Sequence, residues 1–447
     1  MKKFFDNILK KNQIVTKNIE KYNIDWMKKY NGKANTVLLP KNTKDVSNIM
    51  KICNTNNIKV HVQGGNTGLV GGSIAQDSEV LISMEKLNNI KNFCNINGII
   101  HCESGSILQE LDEYVSKSNW QMPLDLGAKG SCQIGGNIAT NAGGLRVYKY
   151  GLLHNNIIGM KVVLPNGDIY NDTQGFIKNN TGYNLKNLMI GSEGTLGIIT
   201  ECQLKLYKKR SSTKVLLLSL EKFDSLLKLI DLTKNNIDDF VSAFELIDRR
   251  CMILHQKHNN QLPITMDNYN VLIETQSFDE DYHNNVLEDF FNKCMELDLI
   301  NDGIVSNNET QLKNIWNIRE NITEHLSKEN KHLYKYDISI KLSDLEILRR
   351  KLNSYETFIF GHILDENIHL NILENNHIIP NKNSNISDIV YSIVNELNGS
   401  ISAEHGIGFS KKKYLKQYDI KNQNKLLKDV KKCFDPNNIL NSGVLIS

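Results

Sequence analysis

The sequence has no window of about eighteen consecutive apolar residues, so no segment has the length and character of a transmembrane helix. The N-terminal residues MKKFFDNILKKNQ also lack the apolar core and small-residue cleavage site of a secretory signal peptide. They contain no Arg and carry Asp6, which is atypical of a mitochondrial presequence. These features predict a soluble, non-secreted protein. The compartment that we expect is the mitochondrial matrix if the source is eukaryotic and the cytoplasm if it is bacterial.

Cysteine pairs and a strong charge of one sign are missing as well. None of the eight cysteines forms a C-x-x-C pair, which argues against an iron–sulfur cluster or a zinc ribbon and favours reduced, mostly buried thiols. The 53 basic and 50 acidic residues give a formal charge of only +3, so the composition does not indicate a nucleic-acid partner. No heptad pattern is readable, and a homodimer therefore stays open.

A length of 447 residues exceeds one typical core and predicts two or three domains. After a charged, helix-like lead segment over residues 1–32, the runs TVLLP, KDVSNIMKICNTNN and IKVHVQ predict a strand, a helix and a strand. Short strands and glycine turns then continue to about residue 209, and Asn166-Gly167 predicts a β-hairpin turn. Longer alternating strands and helices follow, which favours a split β-α-β sheet covered on one face.

Three glycine-dense segments stand out in the first half: residues 64–72, 127–144 and 191–200. The first, GGNTGLVGG, follows a strand, and its backbone N–H groups can form a concave nest for phosphate oxygens. It has neither the Gly-Lys-Ser/Thr ending of a P-loop nor the G-x-G-x-x-G spacing of a Rossmann fingerprint. Each segment alone could be a surface loop, but three together predict backbone wrapped around an extended ligand with a flat ring system.

Two histidines in GHILDENIHLNI predict a metal site. If Asp365 and Glu366 form a two-residue turn, His362 pairs directly with His369, with Cβ atoms roughly 5 Å apart. Asn371 then emerges on the same face of the sheet. Two imidazoles with Glu404 from SAEHGIG would make three ligands of a divalent ion, while the alternative is a pair of ordinary strand histidines.

Six segments in this order resemble the D-2-hydroxyglutarate dehydrogenase family of FAD-linked oxidases: GGNTGLVGGS, PLDLGAKGSCQIGGNIATNAGG, NNTGYNLKNLMIGSEGTLGIIT, YKYDIS, GHILDENIH and SAEHG. The resemblance runs from about Asp25 to the C-terminus. It implies an α+β fold with a vanillyl-alcohol-oxidase or PCMH-type FAD-binding domain over residues 33–209. A ferredoxin-like α+β substrate domain with the metal site would cover residues 210–380, and a C-terminal helical segment over 381–447 would return to the active site.

The resemblance also assigns the cofactor contacts. Covalent relatives often place a His just after the paired glycines, where this chain has Asn66, so non-covalent FAD is expected. The residues implied to contact the pyrophosphate are Gly64, Gly65, Asn66, Thr67 and Gly68, and those implied to line the rest of the cofactor are Ser131, Gly135, Gly136, Asn141, Ala142, Gly143 and Ile198.

For the substrate, the resemblance implies His362, His369 and Glu404 as ligands of zinc or another first-row metal, with His405 as the base. Asn371 would bind the substrate carboxylate, and Arg319, Thr323 and Lys335 would bind the far carboxylate of a dicarboxylic substrate. Arg319 and Thr323 are spaced i and i+4 in NIWNIRENITEHL and so share a helix face; the alternative is a solvated Arg beside Glu320 or Glu324.

The expected activity is oxidation of D-2-hydroxyglutarate to 2-oxoglutarate, with the hydride passed to FAD and the proton to His405. No nicotinamide fingerprint occurs, so the electrons would leave to an external acceptor, in this family an electron-transfer flavoprotein or a quinone-linked carrier. Leu364 and Glu366 stand where the family usually has glycine, which changes the expected turn. The alternatives are a D-lactate or glycolate dehydrogenase on the same scaffold and a non-catalytic flavin-binding protein.

Overall fold

The computed structural model describes residues 2–76, 80–259, 261–374, 385–418 and 422–446. The chain divides into two compact units. Unit 1 comprises Met1–Gly144, Gly151–Lys209 and Glu404–Ser447, and unit 2 comprises Leu145–Tyr150 and Arg210–Ala403. The lead segment thus clusters with unit 1, and the C-terminal segment is divided between the units at residue 404, while the predicted boundary at residue 380 lies outside the described residues. Within the described ranges, no helix combines the length and apolar character needed to cross a membrane.

The described residues of unit 1 contain eleven strands, most of them short. They are β1 Ile14–Val15, β2 Thr36–Leu38, β3 Val60–Gln63, β4 Val80–Ser83, β5 Ile90–Cys94, β6 Ile99–Glu103, β7 Trp120–Gln121, β8 Ile157–Val163, β9 Ile169–Asp172, β10 Ile198–Lys205 and β11 Tyr207–Lys208. Unit 2 continues with longer strands. These are β12 Ser212–Leu220, β13 Val241–Asp248, β14 Tyr269–Ser277, β15 Asp302–Val305, β16 Leu333–Ser339, β17 Glu356–His362 and β18 Asn367–Leu373.

The α-helices are numbered along the whole chain. They are α1 Glu20–Asn23, α2 Thr43–Thr55, α3 Leu108–Ser116, α4 Ile134–Ala139, α5 Val147–Tyr150, α6 Leu153–Asn156, α7 Leu185–Met189, α8 Phe223–Asn236, α9 Arg249–Asn259, α10 Glu280–Glu296, α11 Glu309–Glu320, α12 Ile322–Ser327, α13 Leu345–Lys351, α14 Ile386–Glu396, α15 Lys412–Gln417 and α16 Gln423–Phe434. Short 3-10 turns lie at Lys2–Phe4, Lys11–Gln13, Asp238–Phe240, Leu342–Asp344 and Ile363–Asp365.

Unit 1 is built on two main sheets. The first has the strand order β1-β2-β4-β3, with β2 and β3 both parallel to β4. The helix α2 connects β2 to β3 and buries Val46, Ile49 and Cys53 at helical spacing, while Asn42 caps its N-terminus by accepting from the Asp45 amide. The β-α-β start predicted from the sequence is therefore confirmed.

The second sheet of unit 1 has the order β5-β6-β10-β8-β9 and is antiparallel throughout. The hairpin predicted at Asn166-Gly167 is confirmed, because β8 pairs with β9 across this turn and Gly167 adopts φ +86°. The helix α4, which carries the second glycine segment, packs its Ile134 and Ile138 into the core beneath this sheet.

A buried carboxylate in this sheet makes stability depend on pH. Glu201 accepts from His101 at 2.9 Å and from Lys161 at 2.8 Å. The His101 hydrogen bond, together with Lys161, lowers the pKa of Glu201 from 4.5 to about 2 despite its burial. Because the folded-state pKa is depressed, this stabilisation is complete above pH 4.5 and is lost as the pH falls toward 2.

We expect Glu201→Gln to unfold at lower urea concentration than the wild type near neutral pH. The difference between the two proteins should shrink steadily as the pH is lowered through this window, because protonation removes the same interactions that the substitution removes. Urea midpoints measured at a series of pH values check this. A difference that stays constant down to the most acidic pH would contradict the role of the charged carboxylate.

Unit 2 is built on one antiparallel sheet with the order β15-β12-β14-β13-β17-β18-β16. Its first four strands have the ferredoxin-like order, with α8 between β12 and β13 and α10 between β14 and β15. The prediction of one covered face is wrong for the middle of this sheet, since β13 and β14 are buried at every residue. Helices α9, α11 and α12 pack on one face, and α10 reaches the other, where His283 bonds Thr275 at 2.9 Å.

Candidate functional site

Unit 1 contains a cavity with about 960 Å³ of empty space, part of it open to solvent. The three glycine segments supply most of its lining, and His405 contributes from the C-terminal part of the chain. The predicted cofactor residues in the lining are Gly64, Gly65, Asn66, Thr67, Gly68, Gly135, Gly136 and Ile198. The remaining four, Ser131, Asn141, Ala142 and Gly143, lie outside it.

The glycines of this cavity have two different roles. A Cβ atom at Gly68 or Gly136 would have no atom within 4 Å, so these positions border open space in which a ligand could approach the backbone. A Cβ atom at Gly65 would lie 2.2 Å from the Ser131 carbonyl oxygen, and one at Gly135 would lie 2.5 Å from the Ser104 Cβ. Gly65 and Gly135 are therefore required for close packing of the walls.

Three buried polar atoms in the lining have no hydrogen-bond partner among the described residues: Ser104 Oγ, Gln133 Oε1 and Asn137 Oδ1. Leaving such atoms unsatisfied costs about 1–3 kcal/mol each. A ligand with several hydroxyl, amide and phosphate groups would satisfy them, so the cavity fits FAD. Sequence reasoning missed these three residues, although Gln133 and Asn137 lie inside the second glycine segment.

Asn66 uses its side chain within the protein. It adopts a left-handed backbone conformation with φ +56°. Its amide donates to the Ile24 carbonyl oxygen at 2.7 Å, and its Oδ1 accepts from Ser73 at 2.7 Å. Asn66 therefore shapes the first glycine loop and ties it to the N-terminal region of unit 1.

In unit 2, the predicted direct pairing of His362 with His369 is wrong. His369 pairs with Phe360, and His362 instead pairs with Glu245 on β13. The turn is a 3-10 turn over Ile363–Asp365 followed by Glu366 at φ +63°, which is longer than a two-residue turn. His369 lies opposite Phe360, and Phe360 and His362 lie on the same sheet face, so the two imidazoles still approach each other. Their ring centroids are 5.3 Å apart, and one nitrogen of each ring lies within 4.8 Å of a nitrogen of the other.

Glu245 was not predicted from the sequence, and it organises this face. Its side chain is fully buried between His362 Nδ1, which it contacts directly, and Arg319 Nε at 2.5 Å. Burial opposes its ionisation, but Arg319 and then His362 outweigh this and hold the pKa of Glu245 at about 2. A carboxylate that accepts from Nδ1 leaves Nε2 of the imidazole available as a metal ligand, so the donor set fits a divalent metal.

Arg319 and Thr323 were predicted to share one face of a single helix, but they lie on two helices, because α11 ends at Glu320 and α12 begins at Ile322. Arg319 is buried, and its Cζ lies 4.5 Å from the Phe360 ring centroid, whereas Thr323 is exposed. The Arg319 Nε is held by Glu245, and its two Nη groups make no hydrogen bond with any residue that the structure describes.

Lys335 and Asn371 lie directly opposite each other in β16 and β18. Two residues along each strand, Asp337 lies opposite His369, with 3.9 Å between Asp337 Oδ1 and His369 Nδ1. Since alternate residues share a face, one side of the sheet carries Lys335, Asn371 and His369 together. Glu404 and His405 belong to unit 1, where Glu404 Oε1 accepts from the Gly144 amide at 3.2 Å.

The pairing of Arg319 with Glu245 should matter for stability. We expect Arg319→Met to lower the free energy of unfolding by about 3 kcal/mol, because it leaves a buried carboxylate without its cation. The double variant with Glu245→Gln should regain part of this loss, since the uncompensated charge is gone. Urea unfolding of the three proteins checks this, and an Arg319→Met protein as stable as the wild type would contradict it.

Comparisons with known proteins agree with these observations. The chain matches the family model "FAD linked oxidases, C-terminal domain" over residues 209–445 and the model "FAD binding domain" over residues 34–173. It is 43% identical over 428 residues to a probable mitochondrial D-2-hydroxyglutarate dehydrogenase of Oryza sativa subsp. japonica, covering 94% of this chain and 76% of that protein. It is 40% identical over 430 residues to the mitochondrial D-2-hydroxyglutarate dehydrogenase of Danio rerio, with coverages of 94% and 80%.

Another relative carries a different name, and a solved structure shares the fold. A putative mitochondrial D-lactate dehydrogenase of Schizosaccharomyces pombe is 38% identical over 440 residues, covering 94% of this chain and 84% of that protein. A structure of p-cresol methylhydroxylase superposes with a TM-score of 0.75 at 17% identity, covering 99% of this chain and 96% of that one, which shows the fold. The predicted family and fold class are thus confirmed: this chain belongs to the FAD-linked oxidases, the family of flavoprotein oxidoreductases that includes the D-2-hydroxyglutarate dehydrogenases.

Proposed function

We propose that this protein oxidises D-2-hydroxyglutarate to 2-oxoglutarate, using non-covalent FAD and a divalent metal such as zinc. The observation that carries the proposal is the sheet face of unit 2, which carries an imidazole pair, Asn371 and Lys335 and is contacted by Arg319 from α11. His362 and His369 would be metal ligands with Glu404, and Asn371 would bind the carboxylate beside the hydroxyl. Arg319 and Lys335 would bind the far carboxylate.

The chemistry divides between the cofactors and the protein. FAD bound in the cavity would accept the hydride from the carbon that bears the hydroxyl. A divalent metal would lower the pKa of the substrate hydroxyl. The residues of the chain would hold the substrate and take its proton: His405, which lines the cavity, is the proposed base.

The state of Arg319 favours a dicarboxylic substrate. Its Nε is fixed by Glu245, so the plane of the guanidinium group is set before any ligand binds. The two Nη groups, which have no partner in the described part of the chain, would bind a carboxylate in the bidentate manner. D-lactate has a methyl group at that end and would leave these donors unpaired, which costs affinity. Thr323 is exposed, and we propose that it joins this group only through a bridging water.

The second candidate is a D-lactate dehydrogenase, and the relative from Schizosaccharomyces pombe gives it a specific basis. A glycolate dehydrogenase and a non-catalytic flavin protein remain as further alternatives. In each enzymatic case, the electrons would pass to an external acceptor, for which we propose an electron-transfer flavoprotein or a quinone-linked carrier. Relatives that carry the word mitochondrial in their names make the mitochondrial matrix the proposed compartment in a eukaryote.

The experiment that tests the proposal is anaerobic bleaching of the flavin absorbance by D-2-hydroxyglutarate and by D-lactate, each with and without prior chelation. We expect fast bleaching by the dicarboxylate alone, lost after chelation and restored by added zinc. Equal bleaching by both acids would favour the D-lactate candidate. A flavin-containing protein whose absorbance neither acid bleaches, even with metal added, would contradict the proposed catalytic function.

A further inference from the structure

A buried carboxylate in the third glycine segment joins the C-terminal part of unit 1 to the cavity. Glu193 Oε1 accepts from the Ile407 amide at 2.7 Å, and Oε2 accepts from the Gly408 amide at 2.8 Å. Glu193 and His405 both line the cavity. The two amides lie only two and three residues beyond His405. Neither cofactor binding nor the proposed proton transfer by itself requires an acid at this position.

The backbone of Glu193 is also held from several sides. Its amide donates to the Ala139 carbonyl oxygen at 2.7 Å, and its own carbonyl oxygen accepts from Asn441 at 2.8 Å. It adopts φ +51°, an uncommon conformation for a residue with a side chain, which the surrounding contacts must stabilise. Burial raises the pKa of Glu193, and the two amide donors and Lys411 act against this effect.

Two glycines with positive φ allow the loop of residues 404–408 to pack closely against Glu193 and the first glycine segment. Gly406 adopts φ +79°, and a Cβ atom there would lie 2.8 Å from Glu193 Oε1. Gly408 adopts φ +52°, and a Cβ atom there would lie 2.4 Å from the Val70 carbonyl oxygen, in the first glycine segment. Side chains at either position would push the loop away from the cavity wall.

We propose that Glu193 is a positioning residue that fixes the loop of residues 404–408, and with it His405, against the wall of the cavity. This inference rests on the proposed function in one respect, namely that His405 acts as the base. A carboxylate suits this geometry, since each of the two amide donors has an acceptor oxygen of its own. Glutamine offers one acceptor and places an N–H₂ group against an N–H group, and aspartate is one methylene too short.

The test compares Glu193→Gln with Glu201→Gln, a matched control. Glu201 is likewise a buried glutamate of unit 1; it accepts from His101, Lys161 and Thr43, and it lies outside the cavity lining. Two readouts are measured on the FAD-loaded proteins: hydrogen exchange of the peptide that spans residues 404–410, and the rate constant of flavin reduction by D-2-hydroxyglutarate. The first readout needs no substrate and therefore stands if the proposed function fails.

For Glu193→Gln we expect faster exchange at Ile407 and Gly408, unchanged FAD content and a fall of about a hundredfold in the reduction rate constant with little change in the substrate KM. Gly406→Ala should give the same pattern, and the double variant should be no worse than either single one. Glu201→Gln should change neither readout.

Two results would overturn the inference: unchanged exchange in Glu193→Gln, or faster exchange with a wild-type reduction rate. If D-2-hydroxyglutarate fails to reduce the wild-type flavin, the proposed function fails, and the exchange data alone then decide whether Glu193 fixes the loop.

Discussion

Replacement of His362 by Ala is expected to lower the rate of flavin reduction by D-2-hydroxyglutarate by about a thousandfold while FAD stays bound. The imidazole is one of the two that approach on the sheet face of unit 2, and its Nδ1 is held by the buried Glu245. Loss of a metal ligand removes several kcal/mol of transition-state stabilisation, and each 1.4 kcal/mol corresponds to a factor of about ten. The cavity that fits FAD lies in unit 1, whereas His362 belongs to unit 2, so the affinity of the variant for FAD should equal that of the wild type.

Metal content and flavin content, measured on the same sample, check this prediction together with the reduction rate. The matched control is His332→Ala, because His332 is an exposed histidine of unit 2 just before β16. The control should keep metal, FAD and rate. A His362→Ala protein that retains both stoichiometric metal and the wild-type rate would rule out His362 as a ligand.

Replacing either of two adjacent glycines of α4, Gly135 or Gly136, by Ala should affect folding and FAD binding differently. At Gly136 the new methyl group enters open space of the cavity, so we expect a folded protein that has lost FAD. Ala is also a better helix former than Gly by about 1 kcal/mol, so the free energy of unfolding of the apoprotein should not decrease. At Gly135 the methyl group would lie 2.9 Å from the Ser104 carbonyl oxygen, and we expect a protein that does not fold stably.

The measurement is the visible flavin spectrum together with thermal unfolding of both purified variants. The wild-type apoprotein, prepared by removing the flavin, is the reference for Gly136→Ala. If Gly136→Ala still binds FAD with wild-type affinity, the cofactor must approach the backbone at a different part of the cavity. A stable, flavin-loaded Gly135→Ala protein would show that the wall between Gly135 and Ser104 can move apart.

Much of the fold could be predicted from local patterns. The β-α-β start, the hairpin at Asn166-Gly167 and the long alternating elements of the second half depend on turn residues and on apolar spacing, which the sequence displays directly. The coverage of the unit 2 sheet was predicted incorrectly. Strands β13 and β14 are buried at every residue although they contain polar residues such as Glu245 and Glu274, whose partners are far away in the sequence.

The candidate site shows the same division. The glycine segments predicted a cofactor cavity, because glycine is the residue that tolerates a positive φ and a close approach to the backbone. Ser104 could not be found in this way, since its hydroxyl group differs from that of an ordinary serine only in lacking a partner among the described residues. The helix break between α11 and α12 was also missed, because NIWNIRENITEHL contains no Gly or Pro to signal it.

The sequence by itself determined the family, the glycine-rich cofactor segments and the histidines, because each depends on residue types at short spacing. Only the tertiary structure decided which side chains those residues contact. The register of β17 and β18 differs from the predicted one, and His362 pairs with Glu245 on β13. His362 and Arg319 contact the two different oxygens of the Glu245 carboxylate. The tertiary structure also brought Glu193 to the amides of Ile407 and Gly408, more than two hundred residues away. Such contacts depend on how separate elements pack, and a buried charge shows its partner only after the chain has folded.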